Sequence, residues 1–200
     1  MLRRNPVTSW APAPVLPSVD GTACVDETAV LVGAVTIGPR AFVCPYAVLR
    51  ADEGFPIVVG EACNIQDGVI VHALKGSGVE IGPRVSLAHG AVVHGPCTIG
   101  PGTFVGFRAV LLRTNIGSYC FIGHGAMVLG VDIPDHLYVP PGTILTRQAD
   151  VANLLPVPED LRAFAEEVVA VNLELGDGYR GPDPRKASAF TSREIEFGEV

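Results

Sequence analysis

Charge is scarce in this sequence. Only 18 % of its 200 residues are Asp, Glu, Lys or Arg, and the formal net charge is −7. No cluster of Lys and Arg forms a basic face, which argues against nucleic acid or an anionic membrane surface as the main partner. Long hydrophobic runs are missing as well. The 48 % of apolar residues stand singly among Gly and Pro, and no run approaches the ~20 apolar residues of a membrane-spanning helix. The five cysteines are an odd number with no Cys-x-x-Cys pair, poor material for a disulfide framework or a thiolate zinc site and best read as buried free thiols. Met1-Leu2-Arg3-Arg4 has the charge of a signal-peptide start, but Asn5, Pro6, Pro12, Pro14 and Pro17 interrupt any hydrophobic segment behind it. An extended arm over residues 1–17 and a cytoplasmic location are therefore expected.

A fixed period takes the place of long runs. Val19, Val25, Leu31, Ile37, Val43 and Leu49 stand six residues apart, and after an insertion Val59, Ile65 and Val71 continue the series. After a second insertion it resumes at Ile81, Leu87, Val93, Ile99, Val105 and Leu111. It then slips by one residue to Ile116, Ile122 and Val128, and by another to Ile133, Val139 and Leu145, making twenty-one hexads in all. Two residues before most anchors stands a small or apolar residue, such as Ala29, Ala41, Ala47, Cys63, Ala91, Cys97, Ala109 or Cys120. Strand side chains alternate between faces, so both positions point to one interior while the residues flanking each anchor point outward. Gly recurs just after the anchor, at 38, 60, 82, 100, 106, 117 and 123, where a sharp turn that disfavours a β-carbon is expected. A six-residue unit cannot bury a core alone, whereas stacked coils of such units can. The sequence therefore specifies an all-β solenoid, a parallel β-helix over residues 18–147.

Beyond Thr146 the period stops. From Pro158 onward Leu161, Phe164, Val168, Val171 and Leu175 recur at three- and four-residue spacing, which predicts an amphipathic helix that ends at Gly176 and lies along the prism. Residues 148–178 thus form a connector and helix, and 179–200 a polar tail expected to be poorly ordered.

Polar residues interrupt the apolar pattern chiefly between Arg50 and His94, a stretch that holds three of the five histidines. Arg50, His72 and His94 each follow an anchor. With three hexads to a coil, which a resemblance of the hexads to hexapeptide-repeat proteins implies, and the insertions looped out, they stack about 4.8 Å apart, outward, on one side. At that spacing two imidazoles can share a metal through bonds of roughly 2.0–2.1 Å. Asp67 and His89 each stand two after an anchor and form a second stack on another side. His89 cannot turn to meet His72 and His94 within its own chain. Three prisms around a three-fold axis would bring it there from a neighbour, with Arg50 of one subunit facing Asp67 of the next, so a homotrimer with three shared metal sites is expected. His124 and His136 lack such companions and read as surface or internally satisfied residues.

The stretches RADEG-P-I-VG, N-x-QDGV-x-x-HAL, SLAH and VHGP resemble the γ-class carbonic anhydrases, from about Ala29 through the C-terminal helix. The resemblance implies a left-handed, three-sided β-helix of about seven coils and reversible hydration of CO2 to bicarbonate by hydroxide on a metal at a trimer interface. It implies that His72 and His94 of one subunit and His89 of another bind zinc, with iron or cobalt as alternatives. It further implies that Gln66 orients the hydroxide, Asn64 helps to hold substrate or solvent, and Glu53 takes part in proton transfer or bicarbonate release. Arg50, Asp52 and Asp67 would support the interface and the site, and Asn172 matches an active-site asparagine of the terminal helix. Two positions depart from the family pattern. ALKGSGVE, with Lys75, stands where a long acidic loop carries a proton-shuttle glutamate, and Ala170 replaces a tyrosine. A weakly active or non-catalytic scaffold with its own protein partners is the main alternative. A hexapeptide acyltransferase, the third reading, explains one histidine and not three.

Overall fold

A computed structural model describes residues 1–181 of the chain. Short parallel strands stack into a left-handed β-solenoid of about seven turns. The first face runs through Val30–Gly33, Val48–Ala51 and Ile70–His72 to Ile144–Leu145, and the second through Val35–Ile37, Ile57–Val59 and Val79–Ile81. Two long strands, Val92–Ile99 and Val110–Ile116, bend from the first face into the second. The third face holds Cys24–Val25, Phe42–Val43, Asn64–Ile65, Ser86–Leu87, Phe104–Val105, Phe121–Ile122 and Leu137–Val139.

The hexad anchors fill the interior. Leu31, Leu49, Val71, Val93, Leu111 and Val128 line the first face, and Val43, Ile65, Leu87, Val105, Ile122 and Val139 the third, all fully buried. Val19 and Val25 are only half-buried, because no full coil covers the first one. The slip at Ile116 has a structural cause: between His94 and Cys97 the strand holds one residue more than the strand below, a local bulge at the corner.

The recurrent glycines are not the turning points that the period predicts. Left-handed backbone falls two residues later, at Arg40, Ala62, Arg84, Arg108 and Tyr119 among others. What Gly100 avoids is the next coil: a β-carbon there would lie 2.5 Å from the Ser118 nitrogen. Adjacent coils approach so closely at this corner that backbone meets backbone.

The terminal helix α1 spans Glu159–Arg180 and lies along the third face. Leu161, Ala165 and Val168 pack against Phe104, Phe121 and Ala88 in a second apolar cluster outside the prism. The helix passes through Gly176, where the sequence predicts its end; the glycine is buried against Phe42, and a β-carbon there would meet the Phe42 Cβ at 3.5 Å, an ordinary contact. One turn further on, Tyr179 lies against Phe42 with ring centroids 5.6 Å apart, and Gly181, at φ 55°, ends the helix. One edge of α1 remains uncovered, with Phe164, Val171 and Leu175 each 40–47 % exposed.

Residues 1–17 fold back on the prism. Leu2–Arg3 pairs in parallel with Leu31–Val32. Buried Asn5 accepts a bond from the Val15 N–H at 2.6 Å, and the Lys75 ammonium lies 5.0 Å from the Trp10 ring centroid. Residues 182–200, most of the polar tail, lie outside the described residues.

Candidate metal centre

At the corner between the first and second faces, the strand register places Arg50 beside His72 and His72 beside His94, as the hexad count predicts. Leu112 follows His94 and closes the polar column. The two imidazoles meet edge to face, and His72 Nδ1 lies 3.2 Å from His94 Nε2. The first four-residue insertion begins after Ala51 and turns its two carboxylates back onto this pair. Asp52 Oδ1 and Glu53 Oε1 each lie 3.5 Å from His72 Nε2. Asp52 Oδ2 accepts from Arg50 Nε at 3.1 Å, and Glu53 Oε2 accepts the Lys75 backbone N–H at 2.7 Å. The second insertion therefore braces the first.

A second column stands at the corner between the third and first faces. Asp67 and His89 occupy the same corner position on adjacent coils, and His89 Nδ1 lies 2.9 Å from Asp67 Oδ2. A carboxylate at that distance holds the ring proton on Nδ1, so the neutral ring offers Nε2 as its lone-pair atom. Both side chains are about half exposed, at 56 % and 51 %.

Between this column and α1 runs a buried polar chain. Asn64 Nδ2 donates to Ser86 Oγ at 2.7 Å, and Gln66 Nε2 donates to Asn64 Oδ1 at 2.9 Å. Gln66 Oε1 is left buried with no partner among the described residues. A cavity of about 470 Å³ and another of about 310 Å³ both border Gln66, His89 and Asn172. Asn172 donates to the Val168 carbonyl of its own helix at 2.9 Å.

The chain thus brings Arg50, Asp52, Glu53, His72 and His94 together on one edge, and Asn64, Gln66, Asp67, His89 and Asn172 on another. Among the described residues, no three His, Cys, Asp or Glu side chains of one chain converge to hold a metal. The donors nevertheless fit a divalent cation. Two nitrogens 3.2 Å apart match the ~3.3 Å edge of a tetrahedron with bonds of about 2.0–2.1 Å. His94 Nδ1 is buried with no partner among the described residues, and imidazole nitrogens suit zinc or iron. Ser86 was not singled out from sequence, although it precedes its anchor as Asn64 does and lies in register with it.

No family model matches the chain. The carbonic anhydrase of Methanosarcina thermophila is 41 % identical over 90 % of this chain and 81 % of its own length. The carboxysome assembly protein CcmM of Nostoc is 34 % identical over 87 % of this chain, which corresponds to 33 % of that longer protein. Among solved structures, a hexapeptide transferase family protein from Anaplasma phagocytophilum superposes with a TM-score of 0.72 at 27 % identity, covering 82 % of this chain and 93 % of that one. The likeness to the archaeal protein spans nearly the whole chain, and the prism is the one its hexads specify. This chain belongs to the γ-class carbonic anhydrases, the hexapeptide-repeat β-helix family.

Proposed function

We propose that the protein is an active, metal-dependent carbonic anhydrase that interconverts CO2 and bicarbonate at sites shared between the subunits of a homotrimer. One observation carries the reading: His72 and His94 stand 3.2 Å apart on one edge of the prism while His89, oriented by Asp67, stands on another. His72 and His94 of one subunit and His89 of the next would hold zinc, with iron or cobalt as alternatives. A divalent ion held by three neutral imidazoles lowers the pKa of a water it binds to near 7, which makes hydroxide available at neutral pH.

The chain's own residues do the rest. Gln66 is anchored through its amide nitrogen to Asn64, so its carbonyl is free to accept an O–H and aim the nucleophile. Glu53, half-buried beside His72, is placed to carry a proton outward. Arg50 and Asp52 hold each other, and Arg50 can reach a neighbour's Asp67. The uncovered apolar edge of α1, with Phe164 and Val171, lies beside His89 and fits a second copy of this chain.

Stopped-flow CO2 hydration with metal analysis, on wild type and His89→Ala, tests the proposal. About one metal per chain with turnover, both lost in the variant while it stays folded, is expected. Folded protein that takes up no metal on reconstitution refutes it. The similarity to CcmM supports a second reading, an assembly protein, which metal without turnover would favour.

A further inference from the structure

The column that carries His89 does not end there. Phe107 and His124 occupy the same corner position on the next two coils, each two residues after its anchor, Val105 and Ile122. The three rings stack. His89 and Phe107 have centroids 5.3 Å apart at 29°, and Phe107 and His124 are 4.3 Å apart at 14°. His124 is itself fixed, since its Nδ1 accepts the Phe107 backbone N–H at 3.0 Å. Glycine at 106 is what permits that bond: a β-carbon there would lie 2.8 Å from His124 Nδ1 and 2.7 Å from the His124 nitrogen.

We infer that Phe107 and His124 are positioning residues for His89. The inference rests on the metal-site reading above. Asp67 fixes the His89 ring at one atom and leaves it free to swing about that bond. Half-exposed as it is, the ring is held in its plane by the face of Phe107. His124, bonded to the Phe107 backbone and stacked beneath its ring, keeps Phe107 from turning away. Outer partners that touch a ligand and not the metal govern metal affinity, and a stacked aromatic contact typically carries about 2- to 13-fold.

Zinc affinity of metal-free protein, measured by competition with a chromophoric chelator, tests this on wild type, His89→Ala, Phe107→Leu, Phe107→Tyr and His124→Leu. The visible spectrum of each cobalt-loaded form reports ligand geometry independently of turnover. Phe107 is 43 % exposed, so shortening it leaves the prism core intact. Phe107→Leu is expected to weaken zinc about 3- to 10-fold and to alter the cobalt spectrum, His124→Leu to do so to a smaller degree, and Phe107→Tyr to retain both. Affinity within about twofold of wild type in folded Phe107→Leu, with tight binding abolished in His89→Ala, overturns the inference and leaves the metal site standing. Loss in Phe107→Tyr equal to that in Phe107→Leu overturns it too, since the ring face is kept. Wild type that binds zinc no better than His89→Ala removes both.

Discussion

Asn64 is the residue whose loss the structure prices most directly. It is 1 % exposed, donates to Ser86 and accepts from Gln66, which is itself 6 % exposed. Asn64→Leu keeps the volume but strips both bonds. Each net hydrogen bond is worth ~1 kcal/mol, and a buried donor left without an acceptor costs about 1–3 kcal/mol more. The Gln66 amide becomes such a donor, so Asn64→Leu should destabilise the protein by about 3–5 kcal/mol. Gln66→Leu instead orphans the Asn64 carbonyl. In the double variant neither orphan exists, and its cost should fall below the sum of the singles by about 1 kcal/mol or more. Urea unfolding at one fixed protein concentration measures all three. CO2 hydration should fall sharply in Asn64→Leu, because Gln66 loses what aims its carbonyl. Additivity within ~0.5 kcal/mol, or a stable Asn64→Leu with unaltered turnover, would refute the reasoning.

The second insertion carries Lys75 and no carboxylate to pass a proton outward, so turnover should depend on buffer: raising imidazole concentration at constant pH should raise kcat and leave kcat/KM nearly unchanged. His72→Ala and His89→Ala, each inactive alone, should regain activity when unfolded and refolded together, since about a quarter of randomly reassembled sites would hold a full histidine set; no recovery would place each site within one chain. Leu111, fully buried in the prism, should cost about 3–4 kcal/mol as Leu111→Ala and lower the melting temperature by roughly 10 °C. Desolvation pushes the thiols of Cys44, Cys63 and Cys97 up to about 12 and that of Cys120 to about 11. The folded chain then holds protons that the unfolded chain releases above its ordinary thiol pKa. Stability should therefore be fully present below pH ~8.5 and fall as pH rises towards 12, and native protein should resist thiol reagents at neutral pH.

The stacking was legible because a parallel ladder has one register. Once the hexads are counted and two insertions looped out, His72 must meet His94 and Arg50 must meet His72. The two slips in the period were visible as numbers: the bulge between His94 and Cys97 is the physical form of the first, and the second repeats the shortened corner in register, with Ile116 paired to Ile133. Side-chain burial does not reveal where backbone meets backbone, so the glycines after the anchors looked like turns. Gly100 and its counterparts are there for the neighbouring coil. Gly176 differs, since a helix glycine can end a helix or lie inside one, here buried against Phe42, and composition does not tell the two apart.

The site was legible to the degree that its residues sit on the ladder. His89 and Asp67 share a count, two after the anchor, and the same count finds Phe107 and His124. His124 has no charged companion in the sequence to mark it, since its companion is an aromatic ring. Ser86 was equally countable and carries no charge to draw attention. Glu53 differs in kind: it stands in an insertion with no period, and its place beside His72 depends on the Lys75 N–H of a second insertion, also without period. The ladder also explains why one chain cannot close the site. His89 and His94 lie at opposite ends of one face of the prism, separated by five residues of largely extended chain, up to about 16 Å. Their side chains leave from different edges. A rigid prism can narrow that gap only by meeting another, so catalysis in this reading depends on assembly, and the apolar edge of α1 beside His89 becomes as much a part of the site as the histidine itself.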